Sequence, residues 1–323
     1  MPPVAAAQRG ADTYEALIDR YARGDQQDAP VLLARWGRAE VTAAIGRAGR
    51  LRPDVQRAAA MLHTDAAVVL LAADVTALAI VHINAASRVL DEMKAGRRDA
   101  RTQQFDARWH AFVASVYTSH AMIDYADRTL RDALTSYSRE PLLYVARGAL
   151  QEMRVGSAFV DLRSGNQIAR RDRALEAAAA DYRRAIGFDN RLAIAHLRLG
   201  SVHAAQRDDR ARENFEAALA SATELRDRYL AHLFLGGMAE RENRIDDAQR
   251  EYDAARALAP GCQTPYIALA RIEQALGRPD RAREIATAFT TLPDKTNDPW
   301  WDYHLGGFDQ VLLAWLRAEA RIE

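Results

Sequence analysis

YLAHLFLGGMAERENRIDDAQREYDAARALAP, Tyr229 to Pro260, contains two helical patterns joined by a short polar link. The first is an apolar run with Gly236 in its middle. The second places Ala248, Tyr252 and Ala255 at i, i+4 and i+7, one face of a helix, and Pro260 closes it. A face built small, large, small opposite a helix with a glycine describes two helices that cross closely. Bulky residues on both sides would force them apart, and a ring beside a small pair fills the gap. The stretch reads as one helix hairpin.

Working outward, the second-helix pattern recurs at Ala79, Ile83, Ala86; Ala126, Leu130, Ala133; Ala178, Tyr182, Ala185; and Ala211, Phe215, Ala218. Ala282, Ala286 and Phe289 repeat it with large and small exchanged. The matching small residues of the first helices are Ala67, Ala114, Gly148, Gly200, Gly236 and Ala270. Ala114 and Gly148 are 34 residues apart, as are Gly236 and Ala270. In period and in the placing of small residues the chain resembles the tetratricopeptide repeat family, closest in character to uncharacterised bacterial members. The resemblance spans residues 55–296. It implies an all-α fold, a right-handed α-solenoid of about six helix pairs with a C-terminal capping helix. The period is interrupted near 94–104 and near 155–173, where insertions are expected; the second carries Arg163, Arg170, Arg171 and Arg173 and reads as a solvated loop leading into a basic helix start, with an anion or nucleic-acid contact as the alternative.

The flanks differ from the repeats. Residues 1–54 read as an irregular helical region. Tyr14, Leu17, Ile18 and Tyr21 share one helical face that Asp12 or Thr13 can cap, and a second helix begins near Asp28 with Pro30 in its first turn. At the other end, 297–323 is rich in aromatic residues. Trp300, Trp301 and Tyr303 crowd together, and Phe308, Val311, Leu312, Trp315 and Leu316 form one stripe. The expected role is a cap over the apolar flank of the last repeat, near Ile285 and Phe289, with docking into the chain's own groove as a variant. The alternative is an aromatic ligand platform.

Composition limits function. Of 323 residues, 44 are acidic and 44 basic, and no apolar run is long enough to span a membrane. No general nucleic-acid surface is expected from that balance, although it leaves room for a local patch. The single cysteine, Cys262, rules out an intramolecular disulfide and reads as a small buried hydrophobe. The N-terminus lacks the basic start and apolar stretch of a signal peptide, yet Ala5-Ala6-Ala7-Gln8 resembles the end of a cleavage region. Location therefore reads two ways: cytoplasmic, or exported if the gene start has been placed too late.

No catalytic, cofactor-binding or metal-binding motif is present. His196 and His203 lie about two turns apart, too far for an easy shared ligand set, and His196 occupies the packing slot four residues before the small residue that Tyr144, His232 and Tyr266 also fill. His63, His82, His110 and His120 show no metal-ligand spacing either. Asp246 and Asp247 sit at a helix start, where carboxylates meet free N–H groups. The family resemblance implies a non-catalytic scaffold that binds a peptide or protein segment of unknown identity in a concave groove. By analogy the groove is lined by Val145, Ala149, Glu152, Leu197, Arg198, Ser201, Ala204, Leu233, Phe234, Gly237, Arg241, Ile267, Arg271 and Gln274. The Lys and Asn set with which some family members bind acidic chaperone tails is missing at these positions. Other readings are an accessory subunit of an assembly or export complex, acting through self-association, and an enzyme or regulator with its site in residues 1–54. Oligomeric state is left open.

Overall fold

The computed structural model describes residues 13–48, 51–96, 99–156, 165–292, 295–304 and 310–321. All regular elements among them are helices. In chain order they are α1 (Tyr14–Ala22), α2 (Asp28–Leu33), α3 (Arg38–Ala48), α4 (Pro53–Ala72), α5 (Thr76–Gly96), α6 (Ala100–Ser119), α7 (Ile123–Ser136), α8 (Pro141–Gly156) and α9 (Gly165–Phe188). There follow α10 (Ala193–Ala205), α11 (Arg210–Ser221), α12 (Leu225–Arg241), α13 (Ile245–Leu258), α14 (Thr264–Ala275), α15 (Pro279–Thr290), α16 (Pro299–His304) and α17 (Gln310–Glu319). The chain forms two compact units, Met1–Val116 with Asp309–Glu323, and Tyr117–Phe308.

In the second unit α8/α9, α10/α11, α12/α13 and α14/α15 pair as hairpins, and each hairpin packs on the next through α9 and α10, α11 and α12, and α13 and α14. The small positions explain how closely the helices approach. A Cβ added at Gly148 would stand 2.4 Å from a Tyr182 ring carbon; at Gly200 it would stand 2.6 Å from Phe215, and at Gly236 2.6 Å from Tyr252. Only glycine leaves room for those rings, all three of which are buried. These are tetratricopeptide-type hairpins with the expected alignment.

The turns carry the same repeat. Asp74, Ala121, Arg207, Asn243 and Gly277 have φ between 55° and 73°, each seven residues after the small residue of its first helix. The next N–H, on Val75, Met122, Asp208, Arg244 or Arg278, donates at 2.8–2.9 Å to the carbonyl five residues back. That is the Schellman closure of a helix end, and it satisfies a carbonyl the helix leaves unpaired. Because Asp74 belongs to the α4/α5 hairpin, the N-terminal unit contains a repeat turn of the same form. There α1 and α2 pack on α4, and α3 packs on α5. The side chain of Thr13 caps α1, accepting from Ala16 N at 3.2 Å.

Where they are described, the two interruptions of the period are largely helical. The interruption near 94–104 lengthens helices: α5 runs on to Gly96 and α6 begins at Ala100. In the other, residues 157–164, Arg163 among them, lie outside the described residues. Arg170, Arg171 and Arg173 lie in the first turns of α9, a basic helix start; Arg171 donates to the Ala205 carbonyl at 3.1 Å. From Asn166 to Ile186 the sequence has no Gly or Pro to stop a helix once begun.

The C-terminal stretch brings a correction. Helix α17 is a covering helix, as expected, but the surface it covers is α4 in the N-terminal unit. Its Leu312, Leu313 and Leu316 are buried there, and Trp315 packs near Phe105 at 6.3 Å with the Arg108 guanidinium over it at 4.4 Å. Arg317 Nε donates to Asp65 Oδ2 at 2.9 Å, which gives a buried carboxylate its cation. The chain's own α4 face meets the apolar stripe that the flank of Ile285 and Phe289 was expected to meet. Phe308 lies outside the described residues.

Candidate ligand groove

In the second unit α10 also touches both α8 and α12 directly, so these first helices form a shared face. Counted from the small residue, the position three before holds Leu197, Leu233 and Ile267, and two before holds Arg198, Phe234 and Ala268. One after holds Ala149, Ser201, Gly237 and Arg271; four after holds Glu152, Ala204, Glu240 and Gln274. Leu197, Arg198 and Leu233 are buried; Val145, Ala149, Glu152, Ser201, Ala204, Phe234 and Gly237 are half-buried; Arg241, Ile267, Arg271 and Gln274 are exposed.

The buried members are covered by the chain itself. Asp298 anchors the covering segment. Its carboxylate accepts from Tyr229 Oη at 2.8 Å, from the N–H of Thr264 at 2.8 Å and from the N–H of Trp300 at 3.0 Å. Those bonds turn the chain across α12 at the start of α16. Trp300, Tyr303 and His304 then gather on Phe234, with ring centroids 5.0, 5.1 and 6.1 Å away, while Phe215 stacks on Phe234 at 4.7 Å. Tyr303 is 1% exposed. Its hydroxyl donates to the Leu197 carbonyl at 3.3 Å, Arg198 donates to its carbonyl at 3.2 Å, and the same guanidinium lies 3.9 Å over its ring. Trp300 and Tyr303 thus lie against the first helices of this unit. Trp301 remains 47% exposed.

Beneath Tyr303 runs a polar chain. The Tyr182 hydroxyl donates to Glu152, and Arg198 lies 3.8 Å from the same carboxylate. Burial pushes the Glu152 carboxyl up, opposed by the Arg198 guanidinium and the Tyr182 hydroxyl. Two repeats on, the pattern returns: Tyr252 Oη donates to Glu240 at 3.0 Å and Arg271 donates to it at 2.6 Å. Glu152 and Glu240 each stand four residues after the glycine that meets the tyrosine ring. That offset is visible in the sequence, but the arginine partners are not, because Arg198 and Arg271 sit one turn apart on their helices.

Beside the second triad lies a cavity of about 550 Å³. Leu233, Gly237, Glu240, Arg241 and Tyr252 line it from α12 and α13; Thr264, Ile267, Ala268 and Arg271 line it from α14; Trp300 and Trp301 close the third side. Of the sequence-derived candidates, Leu233, Gly237, Arg241, Ile267 and Arg271 meet here with Trp300 and Trp301. Val145, Ala149, Glu152 and Gln274 do not.

Other candidates have structural neighbours. Cys262 is buried beside Thr296 Oγ1 at 3.4 Å, and burial raises its thiol, the opposite of what a nucleophile needs. His196 Nε2 lies 3.0 Å from the Asn190 carbonyl. The N-terminal unit holds a buried chain that no spacing in the sequence signals: Tyr14 Oη lies 3.0 Å from His63 Nε2, and His63 Nδ1 lies 2.9 Å from His82 Nδ1. No group of three or more possible metal ligands occurs among the described residues. A cavity of about 500 Å³ in that unit is lined by Glu15, Asp19, Arg23 and Arg52 together with Ile18, Ala22, Leu51 and Val55. None of these is a serine, cysteine or histidine nucleophile.

No model of a known protein family matches the chain, and no curated protein matches it. Among solved structures, the crystal structure of MamA is similar over 55% of this chain and 92% of that one, with 17% identity and a TM-score of 0.42. TTC0263, described as a thermophilic TPR protein in Thermus thermophilus, is similar over 65% of this chain and 98% of its own, with 18% identity and a TM-score of 0.42. The human IFIT1 dimer with m7Gppp-AAAA is similar over 87% of this chain, with 16% identity and a TM-score of 0.48; the chain spans 62% of that protein's length. The glycine–ring packing and the matching turns are what mark the hairpins as repeats.

Proposed function

We propose that the protein is a non-catalytic interaction scaffold that binds a peptide or protein segment along the first helices of its C-terminal unit. The observation that carries this reading is the chain's own segment 296–304. It is held on that face by aromatic packing and by bonds to main-chain groups, which are the means by which a foreign segment would be held. The face offers backbone carbonyls, guanidinium groups and apolar surface, and its exposed apolar members stand beside an open cavity. Photo-crosslinking tests the reading. A benzophenone amino acid placed at Ile267, which is 56% exposed in the groove, is compared with one at exposed Arg250 on α13. Protein adducts at 267 that are absent at 250 are expected in cells of the source organism. Adducts only at 250, or RNA adducts in place of protein at 267, overturn it.

A further inference from the structure

We infer that the cavity between α12 and α14 is a pocket for one aromatic side chain of a partner segment, held against Arg271, with a carboxylate of the same segment beside Arg241. The inference rests on the groove reading above and names what the groove selects.

The template is the Tyr303 site, which stands beside the triad two repeats earlier. There an aromatic ring enters between α10 and α12, with Phe234 on one side and a guanidinium over its face. That guanidinium belongs to a Tyr182–Glu152–Arg198 triad. Between α12 and α14 the second triad, Tyr252–Glu240–Arg271, has the same residue types with its arginine one turn further along the helix, and the space beside it is open. Small residues keep it open: Ala268 stands where α12 has Phe234 and α10 has Arg198, and Gly237 where α14 has Arg271. The volume of about 550 Å³ is ample for an indole or phenol ring with some main chain. Ile267 and Trp301, exposed by 56% and 47%, supply apolar surface that such a ring would cover.

Charge names the neighbour of the ring. Glu240 is already engaged by Tyr252 and Arg271, while Arg241 forms no hydrogen bond or ion pair among the described residues. Two guanidinium groups against one carboxylate leave the rim positive, so a carboxylate next to the ring is matched and a lysine there is opposed. A guanidinium over a ring favours aromatic over aliphatic side chains. The occupant is thus an extended segment with an aromatic residue and an adjacent acidic one.

Phage-displayed random dodecapeptides selected on the full chain test this. Gly237→Leu is the blocking variant: a Cβ there meets only the Tyr252 hydroxyl, at 3.7 Å, so the new side chain fills the cavity without forcing the hairpin apart. Expected is a consensus of an aromatic residue beside Asp or Glu. A fluorescein-labelled peptide of that consensus should lose binding on Gly237→Leu and bind about tenfold more weakly on Arg271→Ala. Replacing the aromatic by leucine in the peptide should weaken it comparably. Peptides without an aromatic residue, or binding that Gly237→Leu leaves unchanged, overturn the pocket. If such peptides still crosslink to α8, α10 or α12, the groove reading stands without it. If no peptide is selected, or all crosslink away from the first helices, both fall.

Discussion

The Arg198 guanidinium lies 3.9 Å over the Tyr303 ring and donates to the Tyr303 carbonyl at 3.2 Å, tying α10 to the segment that crosses the groove. The ring is buried, so Tyr303→Ala removes packing from both Arg198 and Phe234. A destabilisation of about 3–5 kcal/mol is expected for a buried aromatic cut back to alanine. Trp300 shares the Phe234 platform, so tryptophan emission should shift to the red under native conditions. A urea midpoint and spectrum like those of the unaltered protein would show that the segment does not hold this place.

Two adjacent glycines give opposite expectations. Gly236→Leu drives a side chain into the Tyr252 ring, already 2.6 Å from a hypothetical Cβ, and should cost about 1–3 kcal/mol or more. Gly237→Leu has open space and exchanges glycine for a better helix former, so its urea midpoint should hold or rise. Equal losses at both would mean that the hairpin is aligned differently.

The five matched turns invite an exchange between them. Ala121 holds φ at 55°, a conformation that costs an L residue about 1–2 kcal/mol, and Gly277 holds the equivalent place at 73°. Ala121→Gly should therefore stabilise by about 1 kcal/mol and Gly277→Ala destabilise by a similar amount. Thermal melts of the two variants check this, and melts moving in the same direction would contradict it.

Acid should loosen the N-terminal unit through its two buried, adjoining histidines. Burial, with His82 nearby, holds His63 well below the usual imidazole range, and burial takes His82 down to about 4. Because the folded values are depressed, this contribution to stability is complete above about pH 6.5 and is lost as pH falls below it. Between about pH 7 and pH 5 the loss should be about 2 kcal/mol for His82 alone. The difference in urea midpoint from a His63→Gln/His82→Gln variant isolates it from carboxylates such as Asp65, whose raised value acts with the opposite sign. A difference that does not change with pH would contradict it.

What the sequence makes visible is local. Gly148, Gly200 and Gly236 with their rings are legible because a hairpin is a short-range object whose two helices carry complementary patterns. Thr13 as a cap and Asp246 and Asp247 at the start of α13 are legible for the same reason. The fate of the C-terminal stretch is not, since Trp315 and Tyr303 carry the same apolar signal yet belong to different units. Periodicity says that α17 has a buried face and is silent about which surface buries it. Asp298 looks like an ordinary residue before a proline until Tyr229 and Thr264 converge on it. The His63–His82 contact likewise depends on two long helices meeting at one level.

Residues 296–304 and the face they cover are parts of one molecule, so their encounter is unimolecular. A tethered segment acts at an effective concentration of the order of millimolar. Any outside peptide that needs the Phe234 platform must outcompete that local supply, so its apparent affinity falls by a factor of one plus the effective concentration divided by the segment's own dissociation constant. A ligand that uses only the open cavity beside Trp301 bears no such penalty. On the proposed reading, one groove would carry two thresholds, and the concentration of partner would decide whether the second is crossed.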